Sequence, residues 1–181
     1  VSAPRSDTRQ RIQDVARELF AVKGVQRTSL QDIAARLGIT KPALYHHFSS
    51  REALVRSIVQ PLIDSGEAYV RECEQRPSLT PRELLEGFFD YSYGNRHDLL
   101  MVVSELSTIA DLGLVDSMIA WRGRLGRLIF GSDQTLEQSA RAVIALGGLQ
   151  DCCIHFPDAP ADALRAAAVT GALAALGRED A

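Results

Sequence analysis

Along this chain apolar positions recur at intervals of three and four, and nowhere alternate for long. Ile12, Val15, Ala16, Leu19 and Phe20 form one face of a helix over 8–23, which Gly24 stops. Thr28-Ser29-Leu30-Gln31 has the form of a capping box, a hydroxyl cap with Gln three residues on. Leu30, Ile33, Ala34 and Leu37 then make a stripe that ends at Gly38. Thr40-Lys41-Pro42 opens a third helix, where Pro is tolerated because the first turn offers no acceptor for its missing N–H. Ser49-Ser50-Arg51-Glu52 opens a fourth, predicted to run to about Arg76 with Pro61 as a bending point. Thr80-Pro81-Arg82-Glu83 starts a fifth, which carries Leu84, Leu85, Phe88 and Phe89 and stops near Gly94-Asn95. Further helices are predicted at about 97–110, 113–130, 134–154 and 160–176. The expected class is all-α.

The chain has 181 residues, 46% of them apolar and 24% charged. These proportions exclude wholesale disorder, and a chain of this size needs no disulfide or metal to fold. No uncharged apolar run approaches the roughly 18 residues of a membrane span. The opening Val1-Ser2-Ala3-Pro4-Arg5-Ser6-Asp7 lacks the apolar core of a signal peptide. The three cysteines, two of them adjacent at Cys152 and Cys153, make no disulfide framework. The expected location is therefore a reducing cytoplasm.

Charge divides along the chain. The net charge is −3. Residues 1–60 hold ten Arg and Lys against five Asp and Glu, a balance of +5, and residues 61–181 hold ten against eighteen, a balance of −8. Two modules with different partners are implied, only the first of which could neutralise phosphates.

Residues 28–51 narrow the choice. Two short helices joined through Leu37-Gly38-Ile39-Thr40 have helix-turn-helix form, with Gly38 for the left-handed turn, Ile39 as plug and Thr40 as cap. On the third helix Leu44 and Phe48 point to a core, which leaves Lys41, Pro42, Ala43, Tyr45 and His46 on the outer face. Such a face suits a DNA major groove. The stretch from Thr28 through Tyr45-His46-His47-Phe48 to Leu54, preceded by Ala16-x-x-Leu19-Phe20-x-x-x-Gly24, resembles the DNA-binding region of TetR-family transcriptional regulators over about residues 8–56.

The resemblance implies a three-helix DNA-binding domain over residues 1–52 and a helical ligand-binding and dimerisation domain over 53–181. It implies that Ser29 and Gln31 touch a phosphate and a base edge, and that Lys41, Pro42 and Ala43 face bases or adjoining phosphates behind the cap Thr40. Tyr45 takes a phosphate-contacting position, His46 a variable groove-facing one and His47 one near the backbone. Arg51 stands where Lys is usual and keeps the charge. Arg36 is a further candidate. The Arg5, Arg9 and Arg11 run reads as solvated, with a minor-groove arm as the sharper alternative.

In the second module Phe88, Tyr91, Met101, Trp121 and Phe130 are the candidate ligand contacts, against a reading as plain packing. Trp121 stands out because its indole N–H needs a partner and Arg122, Arg124 and Arg127 surround it in sequence. Small residues over 134–154 and 160–176 suggest helices that meet those of a second copy, with an intramolecular pair as the plainer reading. Cys152-Cys153-x-His155 invites a metal, but neighbouring cysteines on a helix diverge and no second ligand cluster exists, so no metal or cofactor is expected. No phosphate loop, nucleophile elbow or metal-pair motif suggests an enzyme. The expectation is a homodimeric repressor that binds a palindromic operator in double-stranded DNA and is released by a small-molecule effector, without contact with a membrane. An activator, a regulator whose ligand promotes DNA binding, and a helical ligand-binding protein without DNA recognition are the alternatives.

Overall fold

The computed structural model describes residues 5–178, apart from the side chains of Arg5, Ser6 and Ser107. Its regular structure is helical, with no strand among the described residues. The helices are α1 Arg5–Lys23, α2 Leu30–Leu37, α3 Lys41–His47, α4 Arg51–Glu74, α5 Pro81–Gly94, α6 Arg96–Ser104, α7 Leu106–Asp111, α8 Val115–Phe130, α9 Leu136–His155 and α10 Ala161–Ala175. The predicted start of α5 is realised in full. Thr80 accepts from the Glu83 N–H, and the Glu83 carboxylate accepts from the Thr80 N–H. These bonds hold the Glu83 pKa below the ordinary carboxylate range.

Two helix caps lie one residue later than in the reading above. The α2 cap is Ser29, boxed with Asp32, because the Thr28 hydroxyl is buried and donates to Gly24 O at 2.8 Å. At α4 the accepting hydroxyl is that of Ser50, which takes the Ala53 N–H. The single helix expected over 97–110 is two. Glu105 leaves the helical region (φ −123°, ψ 31°), and its carboxylate accepts the Val25 N–H at 2.8 Å. Pro61 lies inside α4.

The chain forms two compact units. The first holds residues up to Leu62 together with Leu100–Val115. Its core takes Ile12, Ala16 and Phe20 from α1, Leu30 and Ile33 from α2, Leu44 from α3, and Leu54 and Ile58 from α4. Segment 100–115 belongs to this unit through the Glu105 contact and through Arg56, which donates to Leu112 O at 2.8 Å. The second unit holds Ile63–Leu99 and the residues from Asp116 on, with α5, α9 and α10 in mutual contact. Buried Leu85, Phe88, Leu146, Leu149, Val169 and Leu173 fill it. The division falls inside α4, one residue beyond Pro61. The boundary expected between residues 52 and 53 lies within α4, ten residues before this division.

Candidate nucleic-acid interface

The outer face of α3 is set by its start and its anchors. Thr40 is extended (φ −77°, ψ 151°) and its hydroxyl accepts from the Ala43 N–H at 3.3 Å. Gly38 turns the chain at φ 67°, a region that a Cβ disfavours. Leu44 and Phe48 are buried and fix the rotation of the helix. Lys41, Pro42, Ala43, Tyr45 and His46 are exposed as a consequence, and His47 is half-buried. The Lys41 ammonium lies 5.6 Å from the Tyr45 ring centroid, and the His46 and His47 rings meet edge to face at 5.7 Å.

A cleft of about 470 Å³ runs along the starts of α2, α3 and α4. It brings together Ser29, Gln31, Lys41, Tyr45 and Arg51. Arg36, Thr40, Pro42, Ala43, His46 and His47 are not among its lining residues. Arg27 also lines it and was missed by the sequence reading. Its position just ahead of a helix cap was the available signal, since an anion at a helix N-terminus attracts a flanking cation.

The polar groups differ in how free they are. The Ser29 hydroxyl accepts from the Asp32 N–H at 3.1 Å and donates to the Asp32 carboxylate at 2.7 Å. Hydrogen bonds from the Ser29 backbone and then its hydroxyl hold the Asp32 pKa below the usual range. Arg51 donates to Gln26 O at 2.8 Å and lies 3.7 Å from Glu52, so part of its fork ties the α1–α2 connection in place. Of the Arg5, Arg9 and Arg11 run, the Arg5 side chain lies outside the described residues. Arg9 donates to His47 O at 2.9 Å and stacks 4.2 Å from the Phe48 ring centroid, closing the C-terminal end of α3.

In the second unit three of the five candidate ligand contacts come together. The Tyr91 and Trp121 rings meet edge to face at 5.6 Å, Phe88 lies 6.1 Å from Trp121, and Tyr69 completes the cluster. The Trp121 indole N–H is buried with no hydrogen-bond partner. Burial pushes the Tyr91 phenol well above its ordinary pKa. Met101 is instead on α6 in the first unit, and Phe130 is half-buried with the Arg178 guanidinium 5.8 Å from its ring. Cys153 donates to Leu149 O, with burial raising its pKa to about 11, while His155 Nδ1 lies 3.0 Å from Asp151 O. The described residues hold no cluster of three potential metal ligands and no helix long and apolar enough to cross a membrane.

Comparison with known proteins agrees with this arrangement. Residues 12–58 match the model of the bacterial regulatory proteins of the tetR family. The HTH-type transcriptional repressor KstR2 of Rhodococcus jostii is 36% identical over 49% of this chain and 43% of its own length. The HTH-type transcriptional activator FasR of Mycolicibacterium smegmatis is 33% identical over 49% of this chain and 42% of its own. The matched segments thus span less than half the length of these relatives. The fold similarity extends further. A TetR-like transcriptional regulator from Rhodococcus sp. RHA1 superposes with a TM-score of 0.76 at 22% identity, covering 97% of this chain and 99% of that one. The ketosteroid transcriptional regulator KstR2 of Mycobacterium tuberculosis gives 0.74 at 20% identity, covering 94% and 93%. The similarity to the tetR family of bacterial regulatory proteins thus lies in residues 12–58, and beyond them the likeness is one of fold.

Proposed function

We propose that this protein is a homodimeric, ligand-responsive transcriptional regulator that binds a palindromic operator through α2, α3 and the start of α4. The observation that carries the reading is the α3 face, where two buried anchors leave Lys41, Pro42, Ala43, Tyr45 and His46 exposed beside a cleft with cationic walls. Lys41, Tyr45, Ser29, Arg27 and the free part of Arg51 bind phosphates. Pro42, Ala43, His46 and Gln31 meet base edges, and Arg36 and His47 lie at the margin of the contact. The balance of +5 in residues 1–60 supports this module as the one that meets DNA in the cytoplasm.

Two copies associate through α9 and α10. Ile144 on α9 is 62% exposed and lines a groove with Gly148, Ala167 and Gly171. Small residues let a second copy's helices approach closely. The second unit binds an effector that releases the DNA, so the protein acts as a repressor, like the KstR2 relative. The similarly close FasR relative is named an activator, which keeps activation as the second reading.

Selection from a random duplex pool at one fixed near-physiological salt tests the proposal. The expected product is an inverted repeat with half-site centres about one helical turn, ~34 Å, apart. Recovery of no motif, with and without a small-molecule extract, would overturn the DNA-binding reading. A single unrepeated half-site would overturn the dimer.

A further inference from the structure

Helix α8 carries three arginines that are satisfied in different ways. Arg124 is clamped by two carboxylates, with Glu67 at 2.6 and 2.8 Å and Glu74 at 2.6 and 2.8 Å. These bonds push its pKa up. Arg122 has no carboxylate within 4.0 Å among the described residues. One of its terminal nitrogens donates to the buried amide oxygen of Gln150, and its Nε is buried with no partner. Burial pulls its pKa down, against the fields of Asp151 and Tyr91. A cation held this way lacks the compensation that buried charges ordinarily find.

Arg122 lines a cavity of about 510 Å³ between α8 and α9, within the range of small-molecule sites. Arg127, which also makes no ion pair among the described residues, and Ser132 add polar groups to the wall. Ile119, Ala142, Val143 and Leu146 supply an apolar one. No described lining residue is acidic. The site is distinct from the Tyr69–Phe88–Tyr91–Trp121 cluster, none of whose members lines it.

We propose that the α8–α9 cavity binds an amphipathic carboxylate, its head on the Arg122 fork and its hydrocarbon body along Val143 and Leu146. A planar guanidinium pairs with a carboxylate through two parallel hydrogen bonds, and Arg122 brings to the cavity wall a guanidinium that has no carboxylate partner among the described residues. A monoanion is favoured over a phosphate dianion because less charge is taken out of water. Arg127, on the same wall, sets the charge preference at the mouth. Control of DNA binding by this ligand rests on the function proposed above; binding itself does not.

Trp121 is the only tryptophan of the chain and neighbours Arg122 in sequence, so its emission reports the site. Decanoate, decanol and decyltrimethylammonium are titrated into the full chain. Decanoate is expected to bind saturably, at least tenfold more tightly than the other two. Arg122→Met is expected to weaken it at least tenfold, and Arg127→Gln less. Val143→Phe, at an exposed rim position that does not threaten folding, is expected to weaken it by narrowing the cavity. Equal binding of decanol and decanoate, or unchanged decanoate affinity in both Arg122→Met and Val143→Phe, overturns the site. A selected duplex added to each mixture separates the two proposals. Decanoate that binds through Arg122 in a protein that binds no duplex supports the site and overturns the DNA reading. A protein that binds duplex but not decanoate does the reverse.

Discussion

The α2–α3 pair and the α9–α10 pair are both helix pairs anchored by buried apolar residues, and their outer faces ask for opposite partners. On α3 the residues left outside are Lys41, Pro42, Ala43, Tyr45 and His46. On α9 and α10 they are Ile144, Gly148, Ala167 and Gly171, along a groove of about 320 Å³. On the function proposed, phosphates replace water at the first face, and its binding is electrostatic and salt-dependent. The second gains by removing apolar surface from water, at about 25 cal/mol per Å², and salt affects it little. Two faces of one chain therefore report to different solution variables, which makes them separable by experiment.

The largest effect is expected from charging the apolar face. A Cβ on Gly171 meets nothing within 4 Å, and Ile144 is mostly exposed, so Ile144→Glu with Gly171→Glu leaves the protomer folded. In a dimer both charges would be buried without partners, at a cost of about 3 kcal/mol or more. Sedimentation velocity should show dimers becoming monomers, and affinity for a palindromic duplex should fall by more than about a hundredfold. A dimer that persists in the double variant would place the interface elsewhere.

The second prediction concerns the interior behind that face. Gly66 is in the middle of α4, where Ala ordinarily stabilises a helix by about 1 kcal/mol. Here a Cβ would lie 2.9 Å from the Trp121 ring and 3.1 Å from the Tyr91 hydroxyl oxygen. Gly66→Ala should therefore destabilise by about 1–3 kcal/mol, reversing the usual sign. Thermal unfolding monitored by circular dichroism decides it, and a raised Tm would show that the aromatic cluster gives way freely. Gly94→Ala, where a Cβ meets nothing within 4 Å, serves as the control.

These two regions also differ in how far the sequence disclosed them. The site proposed to face DNA is local. Gly38, the Thr40 cap and the four-residue spacing of Leu44 and Phe48 fix which side chains remain outside, so a reader of 28–51 could place the exposed face. The misses there were small and physical. Thr28 resembles a cap but spends its hydroxyl on Gly24, and Arg51 spends part of its fork on Gln26. The second unit is assembled from distant segments, and no local rule says that Trp121 meets Tyr91 or that Phe130 goes under Arg178. The identity of an aromatic residue does not reveal its neighbours. For the same reason the break at Glu105 was invisible, since its cause is a hydrogen bond to Val25, eighty residues earlier.

A third test sharpens the polar side of the comparison. Each of Lys41→Ala and Tyr45→Ala should remove about one phosphate contact, reduce operator affinity roughly tenfold, and lower the slope of log K against log salt by about 0.9 for the lysine. Loss of affinity should be similar for every duplex sequence. A change confined to one base position would instead make the residue a reader of sequence. Neither variant should move the dimer equilibrium.

The smallest effect comes from acid, and it acts on both units through the same device. Asp32 in the first and Glu83 in the second each close a capping box, and hydrogen bonds from Ser29 and Thr80 hold their pKa values below the ordinary carboxylate range. A depressed folded-state pKa means that the unfolded chain takes up the proton first. Stability from these boxes is present above the unfolded value, near pH 4, and is lost as pH falls through the folded one. Urea midpoints should therefore be flat from neutrality to about pH 5 and decline below it. Asp32→Asn should lower the neutral plateau slightly and flatten the acid limb, because the group that titrates is gone while the Ser29 hydroxyl still takes the N–H of residue 32. An acid limb of unchanged steepness in Asp32→Asn would mean that the dependence arises elsewhere, for which Glu74 beside Arg124 is the next carboxylate to replace.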